Sequence, residues 1–460
     1  MNNNVSEILV NKKGEEPITP KITPVAQQFR ESALLLIVIV ILTISLIGCA
    51  PATPFVVTVP TTVADIPTAT PTILPTETPT PFPTQTPFNP KATIKIVVHV
   101  PLSGGGSRDG TDIERAVEMA VQQLAGPLTE LGYKIELVSY DDQASVDVGV
   151  ANAKAIVANP EILCGVGHYN ANVTIQSSEV YHHGGLAFVS PANTTTTVTD
   201  RVYPEVNRVV GRDDGQGTAG AQFANAQGFK RVYVIHNNAS YSEKSADYFM
   251  REAYRIGVSV VGVWTTDQKE NFDSLIRRMI AVNPDLVYFA SRVDQASAFF
   301  REARAAGYTG AFLSTDGVNR PALVELAGPS LVEGGGMYYT EVVAPAGSYP
   351  DAYQFVLDFE SRYGSIPRTY AAQAYDATGI CMKAIEEASK VKGGELPTRK
   401  DVANAIRALQ DYNGITGTYS FNYKGDPTPA KYYVFKVVSP DPANWDQNTI
   451  VATFDVEPPR

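Results

Sequence analysis

The sequence predicts an α/β protein with two lobes, each built on a doubly wound parallel sheet. From Ala92 onwards, apolar β-branched runs alternate with amphipathic stretches, which is typical of strands and helices that follow one another in βα units. A second series of the same kind begins after Gly211. With 460 residues, of which 44% are hydrophobic and 18% charged, the chain is long enough to bury more than one core.

The first series starts with the apolar run ATIKIVVHV, the glycine-rich turn SGGGSRDG and an amphipathic stretch. Its strands are expected at 92–100, 134–140, 162–166 and 186–190. Its helices are expected at 111–124, 146–158 and 174–181. Elements in this order form parallel strands, because each helix returns the chain to the same end of the sheet.

The second series predicts four more strands and four more helices. The strands are expected at 231–236, 258–264, 286–290 and 311–314. The helices are expected at 217–226, 242–256, 272–282 and 295–306. Three further helices are expected at 353–363, 371–388 and 399–409, and the segments GTYSFNYKGD and KYYVFKVV then indicate a hairpin-like end.

Charge and cysteine content exclude two classes of protein. The formal net charge is −11 and the pI is near 5.1, whereas a nucleic-acid surface needs clustered Lys and Arg to neutralise phosphates. Only three cysteines occur, Cys49, Cys164 and Cys381, so no dense disulfide framework is expected. Cys164 in a predicted strand and Cys381 in a predicted helix are expected to be buried, inert thiols.

The N-terminus carries an export signal over residues 1–49. Its apolar run ALLLIVIVILTISLI has a length that suits a signal peptide and is short for a bilayer span of about 20 residues. The run ends in Leu-Ile-Gly-Cys at Cys49, which resembles the lipobox of bacterial lipoproteins and implies a lipidated thiol. The segment before this run is long and contains Glu15, Glu16 and Glu31, whereas a signal peptide begins with a short basic region. An uncleaved membrane helix or a misassigned start is the alternative.

Residues 50–91 are expected to form a disordered tether. They consist almost entirely of Pro, Thr and small residues, which cannot bury enough apolar surface to offset the entropy of the chain. An extended polyproline-like coil of roughly forty residues, at about 3.1 Å each, reaches at most about 120 Å. The tether therefore acts as a spacer, and its threonines are candidates for O-glycosylation.

No motif points to an enzyme, a cofactor or a metal site. A G-x-S-x-G elbow is missing, and Ser103 has no histidine placed by a motif to activate it. The glycines after Ser103 lack dinucleotide-binding spacing and suit a close backbone approach to a ligand. Adjacent His182 and His183 face different sides of a helix, and five histidines scattered over the chain do not indicate a metal site.

The loops after the predicted strands contain the motifs VPLSGGGSRDG, VGHYNANVT, VSPANTT, GRDDGQG, VIHNNASYSE and STDGV, in that order. In this order, and over residues 92–451, the chain resembles the leucine/isoleucine/valine-binding proteins of ABC importers. The resemblance implies a type I periplasmic-binding-protein fold, with two Rossmann-like lobes joined by three crossovers and a hinge. Lobe one is then 92–211 with 341–424, and lobe two is 212–340 with 425–460.

The resemblance also implies where an amino-acid ligand binds. Its carboxylate is expected at helix N-termini and hydroxyls of lobe one, where Ala171, Asn193 and Thr194 match the family positions. The family's usual serine is replaced by Ala171, which leaves only its amide. The threonines at 194–197 can alternatively be a helix cap or a polar turn. The same loops contribute three further candidates, Ser103, Asn170 and Ala192.

Lobe two is expected to bind the ligand's ammonium group through Asp316, which falls at the family's acidic position. The alternative is a solvated turn aspartate ahead of Gly317. Tyr241 matches an aromatic wall of the cleft, and Tyr370 lies near another, although either can be a half-buried core tyrosine.

Two charged residues depart from the family pattern. Asp109 and Arg292 stand where relatives often have aromatic residues. If both enter the cleft, the side-chain pocket is charged and unsuited to leucine. They can also pair across the closed cleft as a latch, or face solvent.

Together these features predict an extracytoplasmic, lipid-anchored solute-binding protein without cofactor or metal. It captures an amino acid or a similar small molecule and delivers it to the membrane subunits of an ABC permease. Alternatives are a ligand-sensing receptor component, or a ligand such as an amide, urea or an aromatic acid.

Overall fold

The computed structural model describes residues 90–458. The predicted signal segment, Cys49 and nearly all of the tether lie outside the described residues. Among the helices of the described part, none combines the length and the apolar character needed to cross a membrane.

Strands and helices alternate along the described chain, as the sequence predicts. The strands are β1 (Ala92–Val100), β2 (Tyr133–Asp141), β3 (Ile162–Gly167), β4 (Ala187–Ser190), β5 (Val206–Arg208), β6 (Arg231–His236), β7 (Ser259–Thr265), β8 (Leu286–Ala290), β9 (Ala311–Ser314), β10 (Met337–Glu341), β11 (Tyr412–Asn413), β12 (Thr418–Tyr419), β13 (Ala430–Lys436) and β14 (Thr449–Val456). The helices are α1 (Ser107–Leu124), α2 (Gly126–Glu130), α3 (Val146–Ala158), α4 (Ala171–His183), α5 (Thr197–Asp200), α6 (Asp213–Ala226), α7 (Ser240–Ile256), α8 (Asp273–Ala281), α9 (Val293–Ala305), α10 (Ala322–Ala327), α11 (Tyr353–Tyr363), α12 (Ala371–Val391) and α13 (Arg399–Ala408).

The larger strands form two sheets. The first has the order β2-β1-β3-β4-β5 and is parallel throughout. The second has the order β14-β13-β10-β9-β8-β6-β7. In it β13 pairs antiparallel with both β10 and β14, and all other pairs are parallel. In each sheet the chain first adds strands in one direction and then in the other, between β1 and β3 and between β6 and β8. Such switch points open a crevice at the carboxyl ends of the strands.

Both sheets are covered by helices on two faces, which explains their nearly continuous apolar strands. In β1, Ile96 and Val98 pack into a cluster with α1 and α12, whereas Val97 packs on the other face with Phe188. Alternate residues of a strand point to opposite faces, so a strand that is buried on both sides needs apolar residues at every position.

The chain passes between the two sheets three times, at 209–212, 342–352 and 420–429. Helices α11, α12 and α13 return to the first sheet, and β13 and β14 then join the edge of the second. The hairpin-like end differs from the prediction: KYYVFKVV supplies β13, but its partners are β10 and β14 rather than the preceding segment. Glu341 is the last residue of β10 and so belongs to the second sheet.

Three helices begin three or four residues earlier than the sequence predicts: α1 at Ser107 instead of 111, α4 at Ala171 instead of 174, and α6 at Asp213 instead of 217. Their first turns contain glycine, asparagine or acidic residues and lack the apolar periodicity on which the prediction rests. Tertiary contacts hold these turns instead. The Asp213 N–H, for example, donates to the Thr194 carbonyl at 2.9 Å.

The prediction of two inert thiols is wrong, because Cys164 and Cys381 form a disulfide. Both residues are fully buried, Cys164 in β3 and Cys381 in α12, with 5.8 Å between their Cα atoms. The sequence separation of 217 residues hid the pairing. Only the return of α12 to the first sheet brings the two cysteines together.

Candidate functional site

The candidate site is the cleft between the two crevices. The loops after β1, β3 and β4 border it from the first sheet, and α6, α7 and the turn Asp316–Val318 border it from the second. The lobes touch across it: the Lys244 ammonium of α7 donates to the Thr196 hydroxyl at 2.9 Å. The structure therefore brings residues of both lobes into one site.

Asn193 fastens two loops of the first lobe. It is 1% exposed, and its amide oxygen accepts hydrogen bonds from the hydroxyls of Thr174 and Ser190. Its amide nitrogen donates to the Tyr169 carbonyl at 3.0 Å, and its backbone N–H donates to the Ser190 hydroxyl. Since these groups are used within the protein, Asn193 holds the loops in place and has little left to offer a ligand.

The start of α4 offers the anion-binding groups that the sequence predicts. Ala171 is its first residue and Asn170 its N-cap, and the four N–H groups of a first helical turn attract negative charge. The Asn170 side-chain oxygen has no hydrogen-bond partner within residues 90–458. Ala192 is buried, whereas Thr194 is half-buried with its hydroxyl in reach of the Asp213 carboxylate.

Asp316 lies directly after β9, in the turn that faces the cleft from the second lobe. Its N–H donates to the Gln216 side-chain oxygen at 3.1 Å, and the Thr340 hydroxyl donates to the same oxygen at 2.8 Å. Burial raises the pKa of Asp316 to about 7, with Asp213 adding to the shift and Arg292 opposing it. A positively charged group placed here would stabilise the ionised form.

Three tyrosines line the cleft, of which the sequence predicts two. Burial raises the pKa of the Tyr241 hydroxyl to about 12, and this hydroxyl has no partner within the described chain. A Cβ atom on Gly317 would lie 3.4 Å from it, so Tyr241 packs against the Asp316 turn. Tyr370 caps α12 with a φ of 73°, and its ring meets that of Tyr169 edge-on at 6.1 Å. Tyr169 was missed although it directly precedes Asn170 in a site loop.

Asp109 and Arg292 do not form the latch that was one of the alternatives. Asp109 pairs instead with Arg368, at 3.6 Å, and lies beside the Tyr169 hydroxyl. Arg292 is exposed, with its guanidinium 5.8 Å from the centre of the Tyr241 ring.

Ser103 is also exposed, and its hydroxyl donates to Asp141 at 2.5 Å. The Asp141 carboxylate also accepts from the backbone N–H groups of Leu102 and Ser103, so it fixes the loop after β1. Ser103 therefore lies at the mouth of the cleft, in a loop held by hydrogen bonds.

Two acids of the cleft carry no predicted role. Asp213 belongs to the quoted GRDDGQG motif and becomes the first residue of α6. Glu341 ends β10, is 7% exposed and has no local sequence signal. The carboxylates of Glu341, Asp316 and Asp213, together with burial, raise the pKa of Tyr370 well above its usual range. Asp316 is therefore one of three acids near Tyr370.

Two of the histidines that are scattered along the sequence converge beneath the first-lobe loops. His99, Asp142 and His168 are fully buried, and their ligand-type atoms lie within 4.8 Å of one another. Burial lowers the pKa of His99 to about 2 and that of His168 to about 3, so both rings are neutral.

The donor set would suit a metal ion, but hydrogen bonds already account for it. His99 donates to the Tyr181 hydroxyl at 2.7 Å, Tyr181 donates to His168 at 3.3 Å, and His168 donates to Asp142 at 2.7 Å. The Asn152 amide donates to the other nitrogen of His99 at 3.3 Å, so every ring nitrogen of the two histidines has a partner. The arrangement therefore supports the loop that carries Tyr169 and Asn170.

A separate cavity of about 300 Å³ lies among the three crossovers rather than in the cleft. Its lining includes Val209, Val343 and Thr428, one from each crossover. Since it contacts none of the acids above, it plays no part in the candidate site.

Comparisons with known proteins agree with this geometry. Residues 93–442 match the family model described as periplasmic binding protein. The chain is 27% identical over 348 residues to Leu/Ile/Val-binding protein homolog 2 of Brucella abortus, covering 75% of this chain and 90% of that one. It is 29% identical over 350 residues to an amino acid binding protein of Pseudomonas aeruginosa, with the same coverage.

Among solved structures, an ABC transporter substrate-binding protein of Desulfitobacterium hafniense in complex with Leu is similar, with a TM-score of 0.62 and 25% identity. The match covers 78% of this chain and all of that one. The type I periplasmic-binding-protein fold is thereby confirmed, and the family implies a solute-binding role outside the cytoplasm. The chain belongs to the periplasmic binding protein family.

Proposed function

We propose that this protein captures an amino acid, or a molecule with the same carboxylate and ammonium groups, and delivers it to an ABC permease. One observation carries the proposal: the anion-attracting start of α4 and the acid Asp316, which has no ion-pair partner in residues 90–458, border the same cleft from opposite lobes. A zwitterion supplies the complement of both.

Closure of the two lobes is the step that couples binding to delivery. We place lobe one at residues 92–211 and 342–424 and lobe two at 212–341 and 425–460, which moves the predicted boundary by one residue because Glu341 ends β10. A ligand that touches both lobes favours the closed state by its differential affinity for it. The permease then recognises the closed form, in which contacts such as Lys244 to Thr196 are made.

The anchor proposed at Cys49 keeps the binding protein beside its permease. A tether of roughly forty residues raises the local concentration of one partner near the other. Mass spectrometry of the mature N-terminus tests this: a diacylglyceryl-modified Cys49 supports it, and an intact Met1 points to a membrane helix instead.

Calorimetric titration of the purified protein with amino acids, amides, urea and aromatic acids tests the ligand class. Binding of an ammonium-bearing amino acid is expected, and Asp316→Ala should cost at least about 2 kcal/mol of its affinity because a desolvated charge partner is lost. Glu325→Ala, at an exposed acid of α10, is the matched control and should change nothing. Binding of amides or aromatic acids alone would reject an amino-acid ligand.

A further inference from the structure

Gln216 ties the Asp316 turn to the end of β10, the strand that ends at Glu341. The Gln216 oxygen accepts from the Asp316 N–H and from the Thr340 hydroxyl, and Thr340 directly precedes Glu341 at the end of β10. Asn319, at the end of the Asp316 turn, donates from its amide nitrogen to Glu341 Oε1 at 2.6 Å. The two acids therefore share one small region of the second lobe.

The orientation of the Asn319 amide is fixed by a third residue. The Trp445 indole N–H donates to the Asn319 oxygen at 3.1 Å, so the amide nitrogen must face Glu341. An amide nitrogen only donates, and Glu341 Oε1 is thus held as an acceptor. Burial, with the neighbouring Asp316 adding to it, raises the pKa of Glu341 well above its usual range, so this carboxyl holds a proton unless a cation lies beside it.

Glu341 also faces the opposite lobe. It directly precedes the crossover at 342–352, which leads to the first-sheet lobe. Tyr370 belongs to α12 of that lobe, and burial, with the carboxyls of Glu341 and Asp316 adding to it, raises the pKa of its hydroxyl well above the usual range. Tyr241 packs its unpartnered hydroxyl against the Asp316 turn from the other side. Glu341 consequently lies at the lobe interface rather than in the core of the second lobe.

Asp316 and Glu341 lack basic partners within the described residues. In the part of the chain that the structure describes, neither Asp316 nor Glu341 forms an ion pair with a lysine or arginine. Exposed Arg292 opposes the raised pKa of Asp316 and has no such effect on that of Glu341. A buried carboxylate without a cation is costly, so Glu341 ionises only where a second positive charge lies beside it, after an α-ammonium group has engaged Asp316.

We propose that the ligand carries a second basic group, as a diamino or guanidino acid does, and that Glu341 binds this group. The inference rests on the amino-acid-binding function proposed above and narrows it to cationic amino acids. Leucine has no group that could displace the proton of Glu341, so it would leave this carboxyl neutral and without a cation. A second basic group donates a charged hydrogen bond to Glu341 and stabilises its ionised form in the closed cleft.

Calorimetric titration with L-lysine, L-ornithine and L-arginine against L-leucine and L-norleucine tests the inference on the unmodified protein. At least one basic amino acid is expected to bind at least about tenfold more tightly than the two apolar ones. Tighter binding of leucine than of every basic amino acid would overturn the inference and leave the proposed function standing. Binding of none of the five would overturn the inference, and the wider panel above would then decide the proposed function.

Glu341→Gln supplies the second arm, because it keeps the shape and an acceptor oxygen and removes the charge. It should weaken binding of the preferred basic amino acid by at least about tenfold and leave leucine binding equal or stronger. Glu325→Gln, at an exposed acid of α10, is the matched control and should leave both unchanged. An unaltered preference in Glu341→Gln would overturn the assignment of this residue.

Discussion

The two lobes contribute to the cleft in different ways. The first lobe presents loops fastened by internal hydrogen bonds, with Asn193 and Asp141 as the fasteners. The second lobe presents carboxyl groups, Asp316 and Glu341, that lack cation partners within the described residues. A fastened loop offers the same backbone groups to any amino acid, whereas an unpaired charge selects among side chains. The difference assigns general recognition to the first lobe and selectivity to the second.

The disulfide of the first lobe allows the test with the largest expected effect, which is on the free energy of unfolding. Replacing Cys164 and Cys381 together by alanine should lower the free energy of unfolding by about 2–5 kcal/mol, because the cross-link closes a long loop of the unfolded chain. Ligand affinity should change little, since the bond joins β3 to α12 below the loops. Chemical denaturation and calorimetry measure the two quantities. A large loss of affinity at unchanged stability would contradict the proposed division between the lobes.

Asn193→Ala tests the same difference between the lobes, with a smaller expected effect on the free energy of unfolding. The change removes the partner of the Thr174 and Ser190 hydroxyls and of the Tyr169 carbonyl. It should reduce the free energy of unfolding by about 1–3 kcal/mol, because buried polar groups are left unpaired. Asp316→Ala is the contrasting variant and should lower affinity without lowering stability, since it removes an acid whose charged form is disfavoured by burial. Equal effects of the two variants on thermal unfolding would contradict the different roles assigned to the two lobes.

The pH dependence of binding is the smallest of the expected effects. The pKa of Asp316 in the empty cleft is about 7, so below that pH a proton competes with the ligand's ammonium group. Affinity for an ammonium-bearing ligand should therefore fall about tenfold as the pH drops from 7.5 to 6, and level off above 7.5. Asp213 raises the pKa of Asp316 further and Arg292 opposes the shift, whereas Asp316 in turn raises the pKa of Glu341. Calorimetry across this range should show a weaker slope in Asp316→Asn, and an identical slope would place the titrating group elsewhere.

Much of the fold followed from local pattern. The strands at 231–236, 286–290 and 311–314 and the helices at 146–158 and 353–363 have the bounds that periodicity predicts. These elements are apolar on one or both faces, so their burial is written in the sequence itself. The late predicted starts of α1, α4 and α6 have the opposite cause, because their first turns are polar and held by contacts from distant loops.

The site was predicted in part, for the same reason. Asp316, Tyr241 and the start of α4 stand in motifs that follow strands, and motif order located them. Glu341 was missed because the strand that it ends carries no recognisable motif. Its surroundings depend on Asn319 and Trp445, which are far from it in sequence. Asn193 was expected to contact ligand, but its hydrogen bonds are used between loops.

By itself, the sequence determined the α/β class, the two series of strands and helices, and the loops that border the cleft. These depend on neighbours within a few residues, where apolar spacing dictates which face is buried. Only the tertiary structure decided that Cys164 forms a disulfide with Cys381, that His99 and His168 both hydrogen-bond to Tyr181, and that Glu341 lies near Asp316. Each of these pairs joins residues that are distant in sequence and lie on elements packed against each other, so a charge or a thiol acquires its chemistry from neighbours that no local pattern identifies.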